Sequence, residues 1–134
     1  MDRGCFSLEM AVRDYECDLQ GVVNNAVYQN YLEHARHEYL KSIGIDFAAL
    51  TAQGINLVVT RVEIDYKLSL TSGDRFVVEV RPVRISPVRL GFNQEIRRLP
   101  DAKVIIRALV TGTALNAKGR PQLPKELDEI LHID

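Results

Sequence analysis

The pattern between Tyr28 and Ile43 restricts the fold more than any other part of the chain. Apolar side chains recur there three or four positions apart, at Tyr28, Tyr31, Leu32, Ala35, Tyr39 and Ile43. This spacing predicts a long amphipathic helix with one buried face. Asn24 or Asn25 can cap the start of that helix, and Gly44 stands where a left-handed residue commonly ends one. The rest of the chain must supply a surface that covers the buried face.

Segments with a two-residue period lie on both sides of the predicted helix. Residues alternate from Phe6 to Val12 before it, and four alternating segments follow Gly54. The first of these four is expected to turn one set of side chains to the core: Val58, Thr60, Val62, Ile64, Tyr66 and Leu68. Turn signals separate the four segments, at Ser72-Gly73-Asp74, Ser86-Pro87 and Leu99-Pro100-Asp101-Ala102.

The order of the elements favours an α+β fold. The four strands joined by short turns after the helix favour an antiparallel meander, and together with the first strand they predict an antiparallel five-stranded sheet wrapped around the helix. A short second helix is expected from Asp46 to Leu50, and a short helix or ordered end from Leu123 onward. One helix covers one face of such a sheet and leaves an edge strand unpaired. Because an exposed edge pairs readily with another copy, we expect a homodimer, and a tetramer made of two such dimers.

Length and composition narrow the class of protein. The chain has 134 residues, and we expect residues 1–134 to form a single domain. A net charge of −1 and a pI near 6.3 argue against nucleic-acid binding. Two cysteines are too few for a secreted disulfide framework. We expect no signal peptide and no membrane span, and therefore a cytoplasmic location, or the plastid stroma if a transit peptide was removed.

A single carboxylate, Asp18, precedes the predicted helix in the stretch DLQGVVNN. The amide groups at a helix start carry partial positive charge and can hold an anion or a developing oxyanion. Hydrolysis of a thioester needs such donors, together with a group that attacks the carbonyl carbon or activates water. Gly21 would let the backbone turn sharply between the two parts. The alternative is that Asp18 only caps a turn, which is a common use of aspartate.

Two groups of residues carry a resemblance to a known family. The first is Asp18-x-x-Gly21-Val22-Val23-Asn24-Asn25-Ala26-x-Tyr28-x-x-Tyr31, continuing through Glu33, Ala35-Arg36 and Glu38. The second is Tyr66-Lys67-x-x-Leu70 with Ser72-Gly73-Asp74. Both resemble the hotdog-fold acyl-CoA and acyl-ACP thioesterases of the 4-hydroxybenzoyl-CoA thioesterase type. The asparagine pair and the stretch 12–16 are similar in particular to plant acyl-lipid (methylketone-pathway) thioesterases and their bacterial relatives.

The resemblance implies roles for individual residues. Asp18 stands where the family keeps its catalytic carboxylate, as nucleophile or general base, and the backbone amide of Asn25 stands where it keeps an oxyanion donor. The implied reaction is hydrolysis of fatty or β-ketoacyl thioesters of coenzyme A or acyl carrier protein, without a metal or redox cofactor. The candidates for substrate binding are Gly21, Val23, Asn24, Tyr28, Arg36, Thr60, Arg61, Arg84 and Arg89.

Arginines provide a second candidate binding surface. Five of them, here called the basic stripe, gather on the third and fourth predicted strands: Arg81, Arg84, Arg89, Arg97 and Arg98. A local positive charge can hold the phosphates of coenzyme A or an acidic carrier protein. A solvated strand face that discourages aggregation explains the same residues equally well. Arg61 either reaches a substrate head group or pairs with Glu63 or Asp65 on its own strand.

Other readings of the sequence stay open. His34 and His37 lack the HExxH frame of a zinc site, so we expect them on the helix surface without a metal. Cys17 could supply a thiol nucleophile, but no histidine is fixed beside it. A hotdog dehydratase or hydratase would act on the same thioesters through a histidine and a carboxylate. A non-catalytic acyl-thioester binding module would use Asp18 only as a cap.

Overall fold

The computed structural model of the chain describes residues 5–131. Within that range the elements follow in the order β1 (Phe6–Ala11), a 3-10 turn (Asp14–Glu16), α1 (Asn25–Ser42), α2 (Phe47–Ala52), β2 (Asn56–Tyr66), β3 (Arg75–Ser86), β4 (Arg89–Leu99), β5 (Val104–Leu115) and α3 (Lys125–Ile130). The predicted long helix, the short helix after Asp46 and the helical tail are confirmed.

The buried face of α1 agrees with its apolar period, apart from Arg36, Ile43 and Leu40, the last of which is buried although it is outside the predicted set. The face comprises Tyr28, Tyr31, Leu32, Ala35, Arg36, Tyr39 and Leu40. Arg36, which the pattern assigned to the polar side, is buried with 9% of its surface exposed. Ile43, which the pattern assigned to the buried side, is 40% exposed. It lies just past the last turn of α1, where Gly44 takes a left-handed φ of 91° and redirects the chain.

The sheet is antiparallel, and its strand order is β1-β3-β4-β5-β2. The strands β3, β4 and β5 form the predicted meander. The prediction is wrong for β2, which lies at the edge of the sheet beside β5 and not beside β3. The edges are therefore β1 and β2. The helix α1 packs mainly against β1 and β3, so it covers one half of the inner face more closely than the other.

A bulge at Thr60 divides the edge strand β2. Val59 pairs with Gly112, whereas Arg61 pairs with Thr111, so Thr60 is an extra residue on its strand. The Thr60 hydroxyl donates a hydrogen bond to the Thr111 carbonyl at 3.3 Å. An extra residue reverses the alternation beyond it. The single face predicted from Val58 to Leu68 is therefore wrong on the N-terminal side of the bulge.

The two faces of the sheet differ in chemistry. The helix-facing side is apolar and carries fully buried residues, among them Phe76, Val78, Val80, Ile96 and Ile106. The outer side carries an ion-pair network. Arg97 bonds Glu79 at 3.0 Å and Glu95 at 2.6 Å, and Arg107 bonds Glu95 at 2.7 Å. Within residues 5–131, no helix has the length and apolar character needed to cross a membrane.

Gly112 brings β5 so close to the backbone of β2 that a side chain does not fit. A Cβ atom at this position would lie 2.8 Å from the carbonyl oxygen of Val58. We expect Gly112→Ala to lower the free energy of unfolding by about 1–3 kcal/mol, because a paired strand must move. In Gly91→Ala the new Cβ would meet the flexible end of Ile85 at 2.9 Å, so the loss should be smaller. Urea unfolding measures both variants, and equal losses of unfolding free energy in Gly112→Ala and Gly91→Ala would contradict this prediction.

Candidate active site

The segment from Cys17 to Asn24 forms a tight loop that returns to its own start. Cys17 pairs with Val23, and the Asp18 N–H donates to the Val22 carbonyl at 2.9 Å. Gly21 takes a left-handed φ of 80° between them, a conformation in which glycine is unstrained. This loop places Asp18 beside the start of α1.

Two tyrosines of α1 hold the loop in place. The Tyr31 hydroxyl donates to Glu16 Oε1 at 2.8 Å, and the Glu16 carbonyl accepts from the Asn24 N–H at 3.2 Å. Burial, and then the bond to the Glu16 carboxylate, raise the pKa of Tyr31. On the other side, the Tyr28 hydroxyl accepts from the Leu70 N–H at 3.0 Å. The loop is thus fixed to the helix that follows it, a contact that the sequence pattern did not predict.

Asp18 uses one carboxylate oxygen for the turn. Oδ1 accepts hydrogen bonds from the N–H groups of Gln20 at 2.9 Å and Val22 at 3.4 Å. These bonds agree with the turn-capping alternative. Oδ2 accepts no hydrogen bond from residues 5–131, and the side chain is exposed. One oxygen can therefore fix the turn while the other meets a ligand.

The first amides of α1 are used unequally. The Asn24 side chain accepts from the Ala26 N–H at 3.0 Å, and the Asn24 carbonyl accepts from the Val27 N–H at 2.9 Å. The Asn25 N–H makes no hydrogen bond within residues 5–131, and Asn25 is exposed. An unused amide at a helix start carries partial positive charge toward solvent. Of the predicted capping pair, Asn24 is the cap and Asn25 offers the unused donor.

A groove runs along α1 between the helix and β2. It begins beside Gln29 and Val62, one turn beyond Asn25, and ends in a cavity of about 300 Å³. The part beside Gln29, here called the outer part, and the cavity farther along α1, here called the deep part, share Glu33, Arg36, Val59 and Val110. The deep part is mostly apolar, with walls that include Leu40, Phe47, Leu57, Leu90, Phe92 and Leu127. Asp18 and Asn25 lie outside both parts, so the groove extends away from them along the helix.

Arg36 lies in the wall of this groove. Its Nη1 donates to Gln94 Oε1 at 3.1 Å, and Gln94 Nε2 donates to the Leu32 carbonyl at 3.1 Å. Burial lowers the pKa of Arg36, and the nearby charge of Glu33 partly offsets this. The sequence did carry a signal for this contact, because Gln94 is the one polar residue in the inward set Leu90, Phe92, Gln94 and Ile96.

The other predicted substrate-binding residues do not converge on the groove. Val23 and Tyr28 are each 2% exposed and pack in the core. Thr60 is the bulge residue of β2 and is exposed. Arg61 bonds Glu63 at 3.0 Å, which is the second of the two alternatives predicted for it. A contact of these residues with a substrate stays a prediction.

The basic stripe is not a single surface. Arg81 lies opposite the exposed Asn93, whereas Arg84 and Arg98 lie opposite the buried residues Leu90 and Phe76. Within residues 5–131, Arg84, Arg97 and Arg98 have carboxylate partners, in the pairs Arg84–Asp128, Arg97–Glu79, Arg97–Glu95 and Arg98–Asp101. The prediction of one stripe along β3 and β4 is therefore wrong. Phosphate binding by the exposed Arg89 stays a prediction.

The structure gives little support to Cys17 as a nucleophile or to the histidines as metal ligands. Burial, followed by the charges of Asp14, Asp18 and Glu16, raises the pKa of the Cys17 thiol, which disfavours the reactive thiolate. The His37 ring packs against Phe47 at 5.5 Å. Within residues 5–131 no three histidine, cysteine or acidic side chains are grouped as a metal site requires.

Residues 12–131 match the family described as the thioesterase-like superfamily. The chain belongs to that superfamily. Acyl-acyl carrier protein thioesterase ATL2, chloroplastic, of Arabidopsis thaliana is 45% identical over 118 residues, which are 88% of this chain and 63% of that protein. The chain thus spans less than two thirds of that relative's length. Long-chain acyl-CoA thioesterase FadM of Escherichia coli is 28% identical over 118 residues, 88% of this chain and 89% of that protein.

The likeness extends to solved structures of thioesterase-like proteins. A 1,4-dihydroxy-2-naphthoyl-CoA thioesterase from Synechocystis superposes with a TM-score of 0.89 at 21% identity, over 96% of both chains. This likeness, with the antiparallel sheet and the helix packed on it, confirms the predicted hotdog fold. At 21% identity this comparison supports the fold and not the activity.

The Tyr31 hydroxyl should contribute measurably to the stability of this thioesterase-like domain. Tyr31→Phe removes a partly buried hydrogen bond to a carboxylate, so we expect the free energy of unfolding to fall by about 1.5–3 kcal/mol. Tyr66→Phe is the matched control, because its hydroxyl is 3.4 Å from the Asn25 carbonyl on a residue 45% exposed. Urea unfolding at neutral pH measures both. A loss in Tyr31→Phe no larger than in Tyr66→Phe would contradict the prediction.

Proposed function

We propose that this chain hydrolyses acyl thioesters to a free acid and a thiol, with Asp18 as nucleophile or general base and the Asn25 N–H as an oxyanion donor. The observation that carries the proposal is the unused Asn25 amide at the start of α1, beside the loop that presents Asp18. Membership of the thioesterase-like superfamily and the names of the relatives support the reaction class.

Two routes are open to Asp18. In the first, Oδ2 attacks the thioester carbonyl carbon, the thiolate leaves, and water then hydrolyses the mixed anhydride, which restores the carboxylate. In the second, the carboxylate takes a proton from a water molecule, the hydroxide formed attacks the same carbon, and the C–S bond breaks as the thiolate leaves and receives that proton. In both routes the carbonyl oxygen becomes negative, and an N–H donor aimed at it lowers the barrier. The bonds to Oδ1 hold the carboxylate in place for either route.

The substrate proposed is a fatty or β-ketoacyl thioester of coenzyme A or acyl carrier protein. The groove between α1 and β2 supports this choice, because most of its deep wall is apolar. An acyl chain whose thioester lies at the helix start can follow the groove along α1. This chemistry requires only protein groups and water, so no cofactor is proposed.

A second copy of the chain is proposed to cover the edge strand β2. Three large apolar side chains are exposed on that strand, with exposed fractions of 51% at Val59, 39% at Val62 and 45% at Tyr66. They follow the rim of the groove as far as Asn25, whose carbonyl accepts from the Tyr66 hydroxyl. An exposed apolar edge favours pairing with another strand. We propose a homodimer built there, and a tetramer of two such dimers.

The two rival functions differ in what they require of Asp18. The bonds from Gln20 and Val22 to Oδ1 are all that a binding module would need of Asp18, because a cap needs nothing more. A dehydratase would need a histidine at the reacting carbon. His34 lies nine residues into α1 from Asn25, about 13 Å along the axis, which counts against it. Following both free thiol and dehydrated product on a panel of acyl-CoA and acyl-ACP thioesters separates the three functions.

Asp18→Asn should separate catalysis from capping. The amide keeps the size and most of the capping ability of the carboxylate, so the stability of the fold should survive. It neither attacks a thioester nor takes a proton from water, so thiol release should fall by at least ~10² at unchanged KM. Thiol release from an acyl-CoA panel measures this. A fully active Asp18→Asn variant would end the proposed mechanism.

Asn25 supplies the companion variants, because its proposed donor is the backbone. Asn25→Ala keeps the N–H and should have a mild effect. Asn25→Pro removes the N–H, and proline is tolerated at the first position of a helix. We expect its turnover to fall by about 10²–10³. Circular dichroism of both variants must show an intact helix, and equal turnover in the two would remove Asn25 from the mechanism.

The dimer proposal predicts that a charge on the β2 edge changes the oligomeric state. Val62→Glu places a carboxylate among the exposed apolar side chains, and burying it in an interface is costly. We expect light scattering to show a dimer or tetramer for the native chain at micromolar concentration, and a larger monomer fraction for Val62→Glu. Ile85→Glu, a change of similar exposure on β3, is the control. A native monomer would refute the proposal.

A further inference from the structure

The C-terminal helix α3 contributes a side chain to the wall of the deep part of the groove. Leu127 of α3 is 1% exposed and lines the cavity together with Leu40, Phe47 and Phe92. The chain reaches this position after β5, where the Gln122 N–H donates to the Ala114 carbonyl at 2.8 Å. A buried side chain in the wall of an apolar groove can limit how far a ligand extends into it.

An ion pair joins α3 to the end of β3. Arg84 Nη2 contacts Asp128 Oδ1, and Arg84 Nη1 donates to the carbonyls of Ser86 at 3.4 Å and Pro87 at 3.5 Å. The Arg84 side chain is 30% exposed. Asp128 follows Leu127 directly, so the guanidinium holds the residue next to the one that lines the deep part of the groove.

We propose that α3, held by the Arg84–Asp128 pair, sets the length of the acyl chain that the groove accepts, with Leu127 as its end stop. The inference rests on the proposed thioesterase function and names its substrate class, a long fatty acyl group. Leu40 lies 15 residues after Asn25, about 22 Å along α1. An extended chain advances about 1.2 Å per bond, so this length holds on the order of 18 carbons.

This inference gives Arg84 a positioning role in place of the phosphate contact predicted from the sequence. The two roles have different kinetic signatures. A phosphate contact is the same for every acyl chain, so its loss raises KM equally for all lengths and weakens the salt dependence. A contact that positions α3 affects only acyl chains that reach the end of the groove.

The first experiment measures kcat/KM on saturated acyl-CoA substrates from eight to twenty carbons. We expect Leu127→Ala to move the optimum to longer chains by at least two carbons, and Leu127→Phe to move it to shorter chains. Leu131→Ala is the matched control, because Leu131 packs against the core without lining the cavity. It should leave the optimum in place. An optimum unmoved by both Leu127 variants, or moved equally by Leu131→Ala, would overturn the end stop.

The second experiment tests the ion pair with the same substrates. Arg84→Met should increase the activity on chains longer than the optimum relative to shorter ones by about threefold or more. Asp128→Asn should raise the activity on longer chains in the same way. The double variant should add little to either single variant, because both changes remove the same Arg84–Asp128 contact. A KM raised equally at every chain length, with a weaker salt dependence, would assign Arg84 to phosphate binding and refute its role in positioning α3.

A third measurement separates failure of this inference from failure of the proposed function. If the native chain releases no thiol from any thioester, the function fails, but the groove can still be tested. Free fatty acids of the same lengths are then used to displace a fluorescent fatty acid from the native chain and from Leu127→Ala. Tighter binding of the longer acids by Leu127→Ala alone would support the end stop, and identical length profiles would overturn it.

Discussion

The packing of α1 onto one half of the inner sheet face is the contact on which the rest of the structure depends. Ala35 is fully buried at its centre, and its small side chain lets the helix approach the sheet closely. The helix lies mainly on β1 and β3, which leaves a space between α1 and β2. The groove and the presentation of the Asn25 amide at the helix start both follow from this off-centre position.

Buried polar contacts determine how α1 is rotated on the sheet. The chain Arg36–Gln94–Leu32 carbonyl joins the middle of the helix to β4, and Tyr31–Glu16 joins its first turns to the loop of Asp18. Apolar contacts alone tolerate sliding, whereas a buried polar group that loses its partner is costly. These contacts therefore favour one orientation of the helix, and with it one position of the Asp18 loop.

Local patterns in the sequence predicted the features that depend on interactions between neighbouring residues, such as the helix, its cap and the turns. The period of α1 and the turn at Gly21 depend on neighbours within a few residues and were predicted, and the helix cap was narrowed to Asn24 or Asn25. The pairing of β2 with β5 was not, because two-residue alternation does not encode which strand lies beside which. The contact of Arg84 with Asp128 joins residues far apart in the chain, so the arginine looked unpaired. The resemblance placed Asp18 and Asn25 together, but only coordinates revealed the groove that leads away from them.

The ion-pair network on the outer side of the sheet has a practical consequence. Each of its pairs is partly exposed, so each adds little to stability, and the face tolerates substitution better than the helix-facing side. The groove and α1 lie against the opposite face. Asn93, exposed among those charges, is therefore a suitable point for attaching a fluorophore or for tethering the protein to a support. A probe there would report on the molecule while leaving the groove between α1 and β2 open.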